Sequence, residues 1–132
     1  MNIKELRIGN LVTYNACTYE VAAINTFCGE KLNVKPINNE WEVEISRMEE
    51  VKPLEITTDF LKKNGFEILN KTFPELWIKP LGEYKYLRYH SGVRYLDFET
   101  TNTFQRVPWA VCYVHQLQNA CTDYGIQLKL KA

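Results

Sequence analysis

The sequence predicts an α+β protein, with an SH3-like small β-barrel at the N-terminus followed by an antiparallel sheet and one packed C-terminal helix. Three observations carry this reading. Residues 11–45 alternate short β-branched or aromatic runs with turn-forming Gly, Asn and Pro, and residues 66–107 do so again. Residues 111–124 instead space their apolar side chains by three and four, the period of a helix. The expected organisation is a barrel lobe over residues 1–56 and an α+β lobe over residues 57–132.

In the first lobe, residues 11–14, 18–24, 31–35 and 41–45 are the expected strands, with Gly9-Asn10 and Cys28-Gly29-Glu30 as turns. The strand entry Ile8-Gly9-Asn10-Leu11-Val12 suits a curled antiparallel barrel. The stretch ITTDFLKKNGF then carries the signals of a helix of about two turns. Thr57 can cap its start, Asp59 opposes the dipole in the first turn, and Lys62 and Lys63 suit the last. Gly65 can take the left-handed stop, with Phe66 packing back on Phe60 or Leu61.

A second sheet is expected over residues 66–70, 76–79, 84–89, 93–98 and 103–107, with Ser91-Gly92 as a hairpin turn and Pro108 ending it. Leu87 with Tyr89, and Val93 with Tyr95, would form its buried face. In the last helix Val111, Val114, Leu117, Cys121 and Tyr124 share one stripe, expected to pack on this second sheet. Gly125 terminates it and Ile126 closes back on Cys121. Residues 126–130 alternate cleanly and read as a final strand. His115 falls on the opposite stripe with Gln118, Asn119 and Thr122.

A chain of 132 residues, 45% hydrophobic and 13% aromatic, can bury a substantial core. No apolar run is long enough to cross a bilayer, and MNIKELRIGN carries charges where a leader would be apolar. The expected location is the cytoplasm, with no membrane partner. There Cys17, Cys28, Cys112 and Cys121 would be reduced; their spacing fits no zinc knuckle, and they read as small buried hydrophobes. Sixteen basic and sixteen acidic side chains cancel, so no global field draws nucleic acid or an anionic surface. Residues 1–58 hold six basic and nine acidic side chains, −3, and residues 59–132 ten and seven, +3. Such a bias could steer copies together, so a homo-oligomer stays open.

The residue inventory argues against catalysis. The chain has no Gly-rich phosphate loop, no G-x-S-x-G and no H-E-x-x-H, and its near-neutral bases are His90 and His115 alone. Glu42 with Glu44, and Glu49 with Glu50, read as a wet strand face and a solvated charge run. A metal site at His115 lacks further ligands on the helix, and a His–Cys nucleophile pair with Cys112 would sit at its frayed start. We therefore expect no catalytic residues, no metal and no cofactor.

Four segments carry a resemblance. ELRIGN at 5–10, KPLEIT at 52–57 with FLKKNGF at 60–66, and YVHQLQN at 113–119 are similar, in this order and spacing, to a family of small uncharacterised proteins of Bacteroides-type bacteria, their prophages and phages. The family's members often continue after the last motif with a more apolar aromatic stretch than ACTDYG here. The resemblance implies no enzymatic activity and a protein that works by binding.

The expected function is thus a non-enzymatic protein-interaction module of a bacterial, phage or mobile-element protein, with another protein, host or phage, as partner. Its candidate contact residues are Tyr84, Tyr86, Arg88, Arg94, His115, Gln116 and Gln118, since aromatic, Arg and amide side chains make anchors. Two alternatives use part of the same set. Arg88, Arg94 and the tyrosines could sequester a small phosphorylated or nucleotide ligand. The interleaved Tyr84, Lys85, Tyr86, Arg88, Tyr89, His90, Arg94 and Tyr95 could stack single-stranded nucleic acid, although Glu83, Asp97 and Glu99 sit among the cations.

Overall fold

The computed structural model describes residues 1–72 and 75–132. In chain order the first strands are β1 (Leu11–Tyr14), β2 (Cys17–Asn25), β3 (Lys31–Pro36), β4 (Val43–Ile45) and β5 (Val51–Pro53). Helix α1 (Thr58–Lys63) precedes β6 (Glu67–Asn70), β7 (Leu76–Gly82), β8 (Lys85–His90), β9 (Tyr95–Thr100) and β10 (Phe104–Arg106), and α2 (Val114–Asp123) follows. The class is α+β: two antiparallel sheets and one main helix among the described residues. No helix among them is long and apolar enough to cross a membrane. The chain divides into two compact units, one of Met1–Glu55, Tyr113–Leu128 and Ala132, the other of Ile56–Cys112 and Lys129–Lys131.

The first unit is a five-stranded antiparallel sheet in the order β4-β3-β2-β1-β5, so β4 and β5 are its edges. Asn15 and Ala16, both at positive φ (50° and 61°), turn β1 into β2 in the two-residue geometry whose twist matches a hairpin. A register shift between Val21 and Ala23 bends β2 against β3. The side chains of Ile3, Leu6, Val12, Val21, Leu32, Val34, Ile45, Met48 and Val51 gather into one buried cluster. β5 and the short 3-10 turns at Ile3–Glu5 and Met48–Glu50 escape the sequence reading, since each spans three residues, too few to show a period.

Helix α2 belongs to this unit and packs on β1, which corrects the expectation that it joins the second sheet and the 57–132 lobe. It begins at Val114 rather than Val111, because Tyr113 is still extended and bridges Glu55. Its end is as the sequence predicts. Gly125 stands at φ +73°, with its N–H on the Thr122 carbonyl and that of Ile126 on Cys121, a Schellman closure. The expected strand at 126–130 does not form; residues 126–132 adopt no regular element.

The second unit is an antiparallel meander in the order β10-β9-β8-β7-β6, preceded by α1. Thr57 caps α1 by accepting from the Phe60 N–H at 3.1 Å, and Gly65, at φ +81°, ends it with Phe66 N–H on the Leu61 carbonyl. Trp77, Leu87, Tyr89, Leu96 and Phe98 are buried within this unit. The expected Val93–Tyr95 face is reversed: Leu96 and Phe98 are buried, and Tyr95 is exposed. Ser91-Gly92 is part of a longer turn in which Arg94, at φ 63°, takes the left-handed position and donates its N–H to the His90 carbonyl. β9 starts at Tyr95, so every side chain in it changes face.

Cysteine placement also differs from the reading. Only Cys121 is buried; Cys112 is half-buried, and Cys17 and Cys28 are exposed because one follows the Asn15-Ala16 turn and the other lies on the β2–β3 hairpin tip. Burial pushes the Cys121 thiol up to about 12, so it is inert.

Candidate functional site

In the first unit, the ELRIGN and YVHQLQN segments meet. Gln118 carries most of the contact: its Oε1 accepts from Leu11 N–H at 2.9 Å and its Nε2 donates to the Gly9 carbonyl at 3.1 Å. Asn119 donates to the Glu5 carbonyl at 3.0 Å and accepts from Asn10 Nδ2 at 2.9 Å. Asn10, itself buried, also accepts from Arg7 N–H at 2.7 Å, which fixes the turn around Gly9. Arg7 reaches down the helix to Asp123 with two bonds of 2.7 and 3.1 Å. The amides thus answer loop backbone groups that neither helix nor sheet can pair.

His115 sits within this arrangement at 1% exposure, which corrects its expected place on a free stripe. Its ring lies parallel to that of Tyr113, with centroids 6.0 Å apart. Among the described residues neither ring nitrogen has a hydrogen-bond partner, and the Glu5 carboxylate is 3.8 Å from Nε2. Burial pushes the imidazole below its usual range, with Glu5 opposing the shift only in part, so the ring is neutral near pH 7. Gln116 is also committed, accepting from Tyr113 N–H at 3.1 Å at the helix start. Of the three helix residues expected to contact a partner, Gln116 and Gln118 thus bond within the unit and His115 is buried.

The second unit presents a different surface. Directly opposed residues share a sheet face, so Tyr86, Glu99 and Phe104 form one row, Arg88, Asp97 and Arg106 the next, and His90 with Tyr95 a third. Asp97 is the centre. Its carboxylate is fully buried, takes two bonds from Arg106 at 2.7 and 3.0 Å, and lies 2.9 Å from His90 Nε2. Burial alone pushes this carboxyl up, but the bonds from Arg106 and His90 outweigh it and hold Asp97 below the usual range. Arg88 pairs diagonally with Glu99 at 3.1 Å, and the Arg106 guanidinium stacks over the Tyr95 ring, 4.5 Å from its centroid.

Around this fixed charge lattice the aromatic rings are open: Phe104 is 54% exposed and Tyr95 41%. Tyr86 and Arg88, both expected, are half-buried on this face. Tyr84 lies at its end, on the β7–β8 turn, at φ 60° and exposed. Arg94 is not on the face; it donates to the Cys112 carbonyl at 3.3 Å, beside the Tyr89 hydroxyl bond to Val111. Phe104 and Arg106 are the site residues the sequence reading missed, while Tyr95 and Asp97 entered its account of a site only within the nucleic-acid alternative, as a stacking ring and as an acid among the cations. Their signal was the alternation Tyr95-x-Asp97-x-Glu99 and Phe104-x-Arg106, legible only once β9 is placed in register.

Comparison of the chain with protein-family models, with curated proteins and with solved structures returns no match.

Proposed function

We propose that the protein is a non-enzymatic interaction module that docks a partner protein on the Tyr86–Tyr95–Phe104 face of its second sheet. One observation carries this reading: exposed aromatic rings stand among arginines already held by carboxylates. Such a surface is pre-organised, as a protein anchor needs, since little side-chain freedom is lost on binding. It suits a polypeptide better than a phosphate ligand or a nucleic-acid strand. Those would need Arg88 and Arg106 uncommitted, whereas both are neutralised by Glu99 and Asp97.

Catalysis has little support, because His90 is tied to Asp97 and His115 is buried. We infer further that the first sheet is an SH3-like barrel, supported by the order β4-β3-β2-β1-β5 and the 3-10 turn Met48–Glu50 leading into β5. Membership of the Bacteroides and phage family is part of the same proposal. It is supported by the order in which the ELRIGN, KPLEIT, FLKKNGF and YVHQLQN segments occur along the chain.

The test is native mass spectrometry of the tagged chain purified gently from a Bacteroides-type host. A co-purifying polypeptide, lost from Phe104→Ala at unchanged melting temperature, is the expected result. An extra mass of a few hundred daltons released on denaturation would instead make the protein a small-ligand sponge, and a polypeptide retained by the variant would move the interface elsewhere.

A further inference from the structure

We propose that the C-terminal end of α1 is a binding slot for an extended peptide, filled in this chain by its own residues 130–131 and open to the same segment of a second copy. Asn64 is 7% exposed and forms the slot. Its Nδ2 donates to the Phe60 carbonyl at 2.9 Å and to the Lys131 carbonyl at 2.8 Å, while its Oδ1 accepts from Lys131 N–H at 2.7 Å. The side-chain amide thereby pairs with Lys131 as a neighbouring strand would, reading backbone rather than side chain. Both donors and the acceptor are used.

The slot does not depend on the tail for its own shape. The backbone N–H of Asn64 is held by the Phe60 carbonyl, its carbonyl accepts from Lys79 Nζ, and the Schellman closure at Gly65 fixes the turn beyond it. The tail, by contrast, has no structure of its own. Residues 126–132 are neither helix nor strand, and Leu130 alone among 127–131 is buried, at 7% exposure, with Lys129 and Lys131 exposed on either side. The ligand class follows: an extended segment with one aliphatic side chain inserted and its neighbours in solvent.

The occupant in trans is the tail of another copy, because it brings the same leucine and the same backbone pair. Exchange then preserves every contact, and only concentration and the strain of the connecting residues decide between cis and trans. Closure of α2 by Ile126 N–H on the Cys121 carbonyl at 2.8 Å leaves residues 127–128 as the stretch that connects the helix end to the bound segment. This slot shares no residue with the sheet face proposed above, so each stands or falls alone.

The experiment uses the full 15N-labelled chain carrying Leu130→Glu, which cannot seat its own tail, titrated with a synthetic peptide of residues 126–132. The expected result is a saturable shift of the Asn64 side-chain amide resonances, at least tenfold weaker with peptide carrying Leu130→Glu, and unchanged by Phe104→Ala. In the unmodified chain, hydrogen exchange of the Lys131 amide should be slow and at least tenfold faster in Asn64→Ala, a readout that survives if Leu130→Glu does not fold. No shift at millimolar peptide on a folded variant, or an unprotected Lys131 amide, would overturn the slot.

Discussion

His115 sets the pH response of the first unit. Its folded form is neutral because burial lowers its pKa, whereas the unfolded chain takes up a proton at the usual value of about 6.5. Between the two values the unfolded state binds more protons, so stability falls as pH drops through about 6.5. Melting temperatures between pH 7.5 and 5.5 should decline for the unmodified chain and flatten in His115→Leu; parallel curves would contradict the burial account. Asp97 acts with the opposite form at lower pH. Its folded pKa is depressed, so its stabilisation is present above about pH 3.9 and lost as pH falls through the folded value. Asp97→Asn should therefore lower the melting temperature at pH 7, by a margin that shrinks as the pH falls below about 3.9. A third residue, Ala16, holds φ 61° without a glycine's freedom. Ala16→Gly should raise stability by roughly 0.5–1 kcal/mol in urea unfolding, the relief of left-handed strain less the added chain entropy.

Among the elements, α2 carries the largest stake. Leu117 is fully buried, and Leu117→Ala should cost about 2–4 kcal/mol as a cavity. Gln118→Ala leaves the Leu11 N–H and the Gly9 carbonyl without partners and should cost about 1–3 kcal/mol, read by the same denaturant titration. An unchanged midpoint for Gln118→Ala would mean that the amide is an ornament of the surface. The element pattern was largely legible where punctuation residues are local: β1 and β3, the capped α1, and the Gly125 stop follow from Gly, Asn, Pro and Thr positions. It failed where the deciding contact is distant. Residues 126–130 have the right alternation but form no strand, and Lys131 just beyond them pairs with a side-chain amide, Asn64; the face of β9 turns on a left-handed Arg94 that no propensity marks.

At the scale of the whole molecule, the chain completes its first unit last. Residues 113–128 return to a sheet begun at residue 11, which no local sequence signal reports. Asp123 travels with them, so the first unit holds six basic and ten acidic side chains, −4, and the second ten and six, +4, sharper than the −3 and +3 of the sequence segments. A chain ending at Cys112 keeps all five strands of the first sheet yet should lose that sheet's dispersed amide resonances, because α2 and its amides are gone. The candidate site was half legible: Tyr86 and Arg88 lie on the proposed face, while Gln118 bonds the loop at Gly9 and Leu11, Gln116 bonds the start of its own helix, and His115 is buried. Partner retention and melting temperature determined side by side for Phe104→Ala and Gln118→Ala separate the proposed docking face from the packing of α2. Phe104→Ala should lose the partner at unchanged melting temperature, and Gln118→Ala should melt lower while retaining it below its melting point. Loss of the partner from a fully folded Gln118→Ala, with Phe104→Ala still bound, would place the contact surface on α2 and contradict the proposed face.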